Sequence, residues 1–520
     1  MADFDYVSTT IPYVNAPPHV GFALELVQAD AVARYARLRG SSVVTSTGTD
    51  DHSLKNLRTA AALGEPVEAL IARQSRAFSE LGRVLATTAD EVVSTSCDPR
   101  HAPAVERLFR ACATNGDLYR RRYRGAYCVG CEAFYRTEEL REGLCPEHER
   151  APEIIEEENW FFRLSRYQRA LTEAIESDRI RILPEERKNE ALGFVRAGLE
   201  DFSVSRTAAR ARGFGIGVPG DADQVVYVWF DALASYLAAF DYGALGSACG
   251  WQRARRRTHV LGKGVLRFHA VYWPAILLSA GLALPDELRV HGYLTVDGRK
   301  IGKSLGNAVD PTALAAELSP TALRHYLLKH VAPFKDADFT RERVVVAHDT
   351  ELADELGNLV RRVFVLAHRH AAGRVPPATT LDTSDTELDA LVAALPARLS
   401  RQFETHELAA AYSAAWELVR AANRYVDRSA PWKLARLIDS EPSAAARLGT
   451  VLNTALTTLA AIAVAISPFV PALASELARA LGFEVRPGAF DVFPELRRVL
   501  TGSRLAEPPL LAPRFSGVRS

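Results

Sequence analysis

A strand-like run, Tyr6–Val14, gives way to Pro17 and Pro18 and then passes through His19 and Gly21 into a long amphipathic stretch that stops at Gly40. A strand feeding a helix N-terminus leaves unpaired N–H groups and the positive end of the helix dipole facing a ligand, which makes an anion site. Gly21 lets an anion approach the backbone closely, and His19 adds a side-chain donor. A second strand, Ser42–Ser46, runs into Gly48-Thr49-Asp50, so this region reads as a βαβ unit with a crevice at the carboxyl ends of its strands. Far downstream, Lys300-Ile301-Gly302-Lys303-Ser304 places two lysines three apart on a glycine-containing loop, suited to gripping a polyphosphate.

The 520 residues suit two or three domains. Strand and helix alternate over 1–115. Cysteines, charges and short strands interrupt the pattern over 116–225, which reads as an insertion; the alternation resumes over 226–335. From 336 to 506 the chain is helical, and 507–520 is a proline-rich tail expected to lie extended on the surface. Lysine plus arginine and aspartate plus glutamate are both 63, so net charge gives no support for a nucleic-acid partner. No apolar run of membrane-spanning length stands out and the N-terminus lacks a signal-like segment, so we expect a cytoplasmic protein without a membrane partner. Six cysteines are too few for a disulfide scaffold.

Cys128-x2-Cys131 and Cys145-x2-His148 put two pairs of soft ligands on two turns, the pattern of a closed, structural zinc tetrahedron; the plainer reading is a reduced, metal-free loop. Cys97, Cys112 and Cys249 read as ordinary thiols. Asp50, after an apolar strand, suits an ammonium group, or else it caps the next helix. Trp229, Ala232 and Tyr236 share one face if helical, as core or as a pocket wall. Gly213-Phe214-Gly215-Ile216-Gly217 lacks strand–turn–helix context and reads as a flexible loop. Asn358 and Arg362 share a helix face, and Trp432 follows Pro431; together they suit a splayed-out RNA base, though a tryptophan beside proline is more often core.

The His19-Val20-Gly21-Phe22 and Lys300–Ser304 segments resemble the HIGH and KMSKS elements of class I aminoacyl-tRNA synthetases. Glu158–Leu164, the Trp229 segment, Arg267–Pro274 and the zinc pattern resemble the methionyl branch, over almost the whole chain. The resemblance implies a Rossmann catalytic domain with a zinc-knuckle insertion, then an all-α anticodon-binding-type bundle. It implies an ATP-dependent, AMP-forming ligase that makes an aminoacyl-adenylate and passes the acyl group to an oxygen nucleophile. His19, Lys300 and Lys303 would be catalytic. Gly21, Gly262, Lys263 and Ser304 would join them in holding ATP and its Mg2+. Ile11, Tyr13, Asp50, Trp229, Ala232, Tyr236, Val265 and His269 would hold the amino acid. Cys128, Cys131, Cys145 and His148 would bind Zn2+, and Asn358, Arg362 and Trp432 would face an anticodon.

Departures from the family pattern cluster at the nucleotide. Phe22 replaces the second histidine of HIGH, Gly264 replaces an aspartate, and Ser53 replaces a glycine. Losing one transition-state donor costs about 2.7–4 kcal/mol, or roughly 10²–10³ in rate. On that ground the sequence favours a diverged paralogue in specialised metabolism, one that passes its amino acid to a small molecule such as an N-hydroxylated amine. Hydrazine synthetases work this way, and a separate cupin partner would then be needed. The alternative is a methionine–tRNA ligase of translation with a drifted site. A third class is a non-catalytic RNA- or protein-binding pseudoenzyme.

Overall fold

The computed structural model describes residues 3–130, 133–135, 139–146, 149–244, 250–296, 298–301 and 308–515. The chain divides into two compact units. The first comprises Met1–Pro18, Val44–Leu81 and Thr88–His291; the second comprises His19–Val43, Gly82–Thr87 and Gly292–Ser520.

The first unit is built on a six-stranded sheet of β1 (Phe4–Ser8), β2 (Val43–Thr49), β3 (Glu91–Ser94), β4 (Arg181–Leu183), β5 (Ala254–Gly262) and β6 (Glu287–His291). Their order in space is β3-β2-β1-β5-β6-β4. The β2–β3, β1–β5, β5–β6 and β6–β4 pairs are parallel. Parallel sheets are covered on both faces, so their strands are continuous apolar runs. Val260, Leu261, Leu288 and Val290 accordingly have no exposed surface. A buried charge needs partners, and Glu287 has three: Arg289, Arg256 and Arg181 lie 2.8, 3.1 and 3.5 Å away. The chain moves from β1 to β2 on one side and later adds β5 on the other, which puts the switch point at the carboxyl end of β1.

Two local expectations change. The first strand ends at Ser8 rather than Val14, since Pro12 has no N–H to continue a ladder. Most of 116–225 forms separate antiparallel sheets, led by the long Leu118–Cys128/Glu153–Phe162 ladder. Within it, however, Arg181–Leu183 returns to the parallel sheet as β4, so 116–225 is not a simple insertion.

The second unit contains α1 (Val20–Leu38), the short strands Leu294–Val296, Arg299–Lys300 and Ala337–Asp338, and the helices that follow. Among these are α2 (Asn358–His370), α3 (Thr383–Glu404), α4 (Leu408–Ser429) and α5 (Pro442–Ile466). Helices beginning at Pro311, Pro320, Pro431, Pro442 and Pro471 use proline in the first turn, where its missing N–H costs nothing. Asp382 and Asp385 form a reciprocal capping box on α3. The tail is pinned by an Arg514–Asp354 ion pair, and the Phe515 ring stacks 4.0 Å from His348.

The expectation that no apolar run reaches membrane-spanning length is corrected by α5, which is long and apolar enough by composition. Its apolar window is 94% buried inside the protein, against α2, α3 and α4 among others. Its polar residues are also bonded internally: Asn453 donates to Pro376 O at 2.7 Å and accepts from Arg497 at 2.8 Å. This is a core helix.

Arg324 ties α1 to the rest of its unit. Its buried guanidinium lies 2.7 Å from Asp30 of α1 and donates to the carbonyls of Phe469, Leu85 and Pro468 at 2.7, 3.0 and 3.2 Å. Arg324→Met should destabilise the protein by about 3–5 kcal/mol, because it takes one of two arginines from the buried Asp30 carboxylate, which keeps Arg34 at 2.8 Å, and the donors from three carbonyls. A fall in the guanidinium unfolding midpoint measures this; an unchanged midpoint would contradict it.

Candidate active site

In the first unit, the chain leaving β1 is stitched to the chain leaving β2. Thr9 N–H bonds to Ser46 O at 3.1 Å, Asp50 N–H bonds to Pro12 O at 2.9 Å, and Tyr13 bridges Asp50. Gly48 sits between β3 and this chain: a Cβ there would lie 1.9 Å from Val93 O of β3 and 3.1 Å from Ile11 Cγ2. Asp50 is buried, and it is not a helix cap; Ser53 caps the next helix, accepting from Lys55 N–H at 3.0 Å. Asp51 is tied down separately, accepting from Ser96 N–H at 3.1 Å and Ser96 Oγ–H at 2.8 Å.

Around Asp50 stand aromatic side chains. Trp229 meets Tyr13 edge-on at 6.3 Å and stacks on Phe268 at 3.5 Å, almost parallel. Lys55 Nζ lies 4.7 Å above the Tyr13 ring. The Trp229 indole Nε1 is buried with no partner among the described residues. His269 is 2.8 Å from Tyr236 OH through Nε2 and 3.0 Å from Val265 O through Nδ1. Nδ1 therefore donates to the carbonyl. Ala232 is buried on the same short helix as Trp229. Gly262 ends β5, with Lys263 immediately after it. A neighbouring cavity of about 140 Å³ includes Phe268, Tyr227 and Arg267 but none of the eight expected amino-acid contacts.

The second unit holds His19, Gly21 and Lys300, which are among the expected nucleotide contacts. His19 is the N-cap of α1, with extended backbone, and its Nδ1 accepts from Gly21 N–H at 3.0 Å. Nδ1 is thus unprotonated, and the ring hydrogen sits on Nε2. A Cβ on Gly21 would press to 2.8 Å from the His19 ring, so any other residue here would displace that ring. Phe22 turns inward and is only 9% exposed. Val20 N–H bonds to Val309 O at 3.2 Å, which brings α1 beside the chain that follows the lysine loop. Lys300 pairs with Thr295 in the short antiparallel ladder. Its side chain, Lys303 and Ser304 lie outside the described residues.

Of the zinc pattern, Cys128 and Cys145 are both buried, the first at the end of a strand, the second on a turn; Cys131 and His148 lie outside the described residues. Two soft ligands withdrawn from solvent fit a metal better than an open loop. Cys112 is buried, its thiol pushed up to about 12 by burial, as befits an inert core thiol. Cys97 is exposed, and Cys249 lies outside the described residues. In the bundle, Asn358 is exposed at the start of α2. Arg362, one turn on, bonds to Asn423 at 2.7 Å and Asp427 at 2.8 Å. Trp432 is 38% exposed on a helix that abuts α2.

Sequence reading missed Phe268 as the stacking partner of Trp229 and Lys55 as the cation over Tyr13. It also gave no role to His52, whose Nδ1 lies 2.7 Å from Asp231 Oδ2.

A parallel Rossmann-type sheet followed by a helical domain is the architecture of a class I synthetase. Comparison bears this out. A family described as class I tRNA synthetases (M) matches residues 5–151 and 138–364, and one described as the anticodon-binding domain of methionyl tRNA ligase matches 375–516. Methionine–tRNA ligase of Nostoc is 39% identical over 92% of this chain and 90% of its own length. That of Thermotoga maritima is 35% identical over 93% and 76%. The Mycobacterium tuberculosis methionyl-tRNA synthetase in complex with methionyl-adenylate superposes with a TM-score of 0.91 at 36% identity, over 98% of this chain and 99% of that one. The chain belongs to the methionyl-tRNA synthetase family, and it is an ATP-dependent ligase of the class I aminoacyl-tRNA synthetase type. The pseudoenzyme reading falls with that.

Phe22 offers no side-chain donor and faces inward, so within this element the expected nucleotide contact falls to His19 and the backbone. His19→Ala should lower amino-acid-dependent ATP–pyrophosphate exchange by about 10²–10³. A loss under threefold would remove His19 from the catalytic set.

Proposed function

We propose that the protein activates methionine with ATP and transfers it to a methionine-accepting tRNA. The methionine carboxylate attacks the α-phosphate of ATP, which gives methionyl-adenylate and pyrophosphate; a terminal ribose hydroxyl of tRNA then takes the acyl group. Asp50 holds the ammonium. Ile11, Tyr13, Trp229, Ala232, Tyr236, Val265 and His269 enclose the side chain. His19, Gly21 and the N-terminus of α1, with Gly262, Lys263, Lys300, Lys303 and Ser304, hold ATP and its Mg2+. Catalysis is positioning plus neutralisation of charge developing on phosphorus.

The observation that carries this reading is the intact bundle, with Asn358, Arg362 and Trp432 on neighbouring helices. A ligase that hands its product to a small molecule has no use for an anticodon face. Likeness to methionine–tRNA ligases over 92% of the chain points the same way. Nothing supports the N-hydroxylated amine acceptor or the cupin partner that the substitutions at Phe22 and Gly264 suggested, and we set both aside. A cytoplasmic location belongs to the same proposal.

Exchange assayed with each of the twenty amino acids should respond to methionine, and tRNA-Met should be charged. Exchange without charging of any tRNA would overturn the acceptor; no exchange at all would overturn the whole reading. Zn2+ held by Cys128, Cys131, Cys145 and His148 would brace the knuckle without joining the chemistry. Elemental analysis should find about one zinc per chain, lost in Cys145→Ser; zinc-free, folded and active protein would contradict it.

A further inference from the structure

Asp231 is a carboxylate with no exposed surface, two residues past Trp229 on the same short helix. Both of its oxygens are taken by imidazoles from other parts of the first unit. Oδ2 lies 2.7 Å from Nδ1 of His52, two residues past Asp50, and Oδ1 lies 2.5 Å from Nε2 of the fully buried His101. The helix that carries the side-chain wall, Trp229 and Ala232, is thereby bolted to the turn that carries Asp50. Burying a lone carboxylate costs several kcal/mol, so a group this enclosed persists only if its hydrogen bonds hold it ionised.

We propose that Asp231 and His52 are positioning residues, a clamp that fixes the ammonium-holding turn against the side-chain wall of the amino-acid pocket. This rests on the assignment of that pocket above. Asp51 anchors the turn to Ser94 and Ser96. The His52–Asp231 bond joins the turn directly to the Trp229 helix. Phe214, from the loop at Gly213–Gly217, covers the His52 ring edge-on at 5.3 Å and screens the bond from water. That loop has positive φ at Gly213 and Gly215, and Arg212 just before it does too.

The charged groups acting on His52 are Asp231 from the Trp229 helix and Asp51 on its own turn, with His101 sharing the Asp231 carboxylate. Burial pushes the His52 imidazole down, but Asp231 and then Asp51 outweigh it, and the net shift is upward from 6.5. Burial likewise pushes Asp231 up, and the two histidines overturn that, holding it well below the carboxylate range. The charge-assisted form of the bond is therefore fully present below pH 6.5 and is lost as pH rises through the raised value.

The test uses the full-length enzyme and steady-state ATP–pyrophosphate exchange with methionine between pH 5.5 and 8.5. His52→Ala and Asp231→Asn should each raise KM for methionine by about 10-fold or more, the worth of a charge-assisted hydrogen bond, with kcat within threefold. His52→Asn keeps a donor where Nδ1 stood; it should restore KM to within threefold and lack the alkaline rise in KM that wild type shows. Unchanged KM in His52→Ala would overturn the clamp, and so would equal losses in kcat and KM. Should Asp231→Asn fail to fold, the partly exposed His52 variants decide alone. Histidine NMR gives a readout free of activity: the His52 resonance, assigned by its absence in His52→Asn, should titrate above 6.5. An ordinary titration would overturn the pairing. Wild type inert with methionine would fail the functional reading, while the titration would still judge the clamp.

Discussion

The catalytic unit depends on one close approach of backbone, where the chain leaving β1 meets the chain leaving β2. Asp50 N–H to Pro12 O at 2.9 Å sets the depth of the crevice, and on the other side of β2 Gly48 lets β3 come close by having no Cβ to strike Val93 O. From that contact follow the burial of Asp50, the position of Tyr13 beside it, and the edge-on meeting of Tyr13 with Trp229. A parallel sheet offers such a crevice at its switch point as a matter of topology. What this sequence adds is the carboxylate, the aromatic wall and the pairing that holds them together.

Much of this was legible beforehand, for physical reasons. The strand–helix–strand order at the N-terminus, the glycine stop at Gly40, the proline starts of the late helices and the switch to all-helical periodicity near residue 336 are local signals, and local geometry followed them. What depended on tertiary pairing was not legible. β4 is three residues with no periodicity of its own, and its sheet partner Glu287 lies about a hundred positions away. His52, His101 and Asp231 are similarly scattered, and no spacing rule could unite them. Phe268 sat in plain view in an apolar run, where stacking cannot be told from packing. In α5, interleaved threonines and Asn453 disguised an uncharged run of spanning length; burial inside the bundle explains why it needs no membrane.

The substitutions at the nucleotide gain a physical meaning from the fold. Phe22 is packed inward, so the change removes a polar group from α1 and leaves His19, fixed by its bond to Gly21 N–H, as that element's donor. Gly264 leaves the turn after β5 without a side chain. Neither position lies in the stitch between β1 and β2 or in the helix carrying Trp229, which suits a slower activation rather than a different acceptor.

The most direct test of the account is a crystal structure with a non-hydrolysable methionyl-adenylate analogue. The account requires the ammonium within hydrogen-bond distance of Asp50, the thioether enclosed by Trp229, Tyr236 and His269, and the phosphate-mimicking group at the N-terminus of α1 beside His19. An analogue seated elsewhere, with no contact to Asp50, would contradict it.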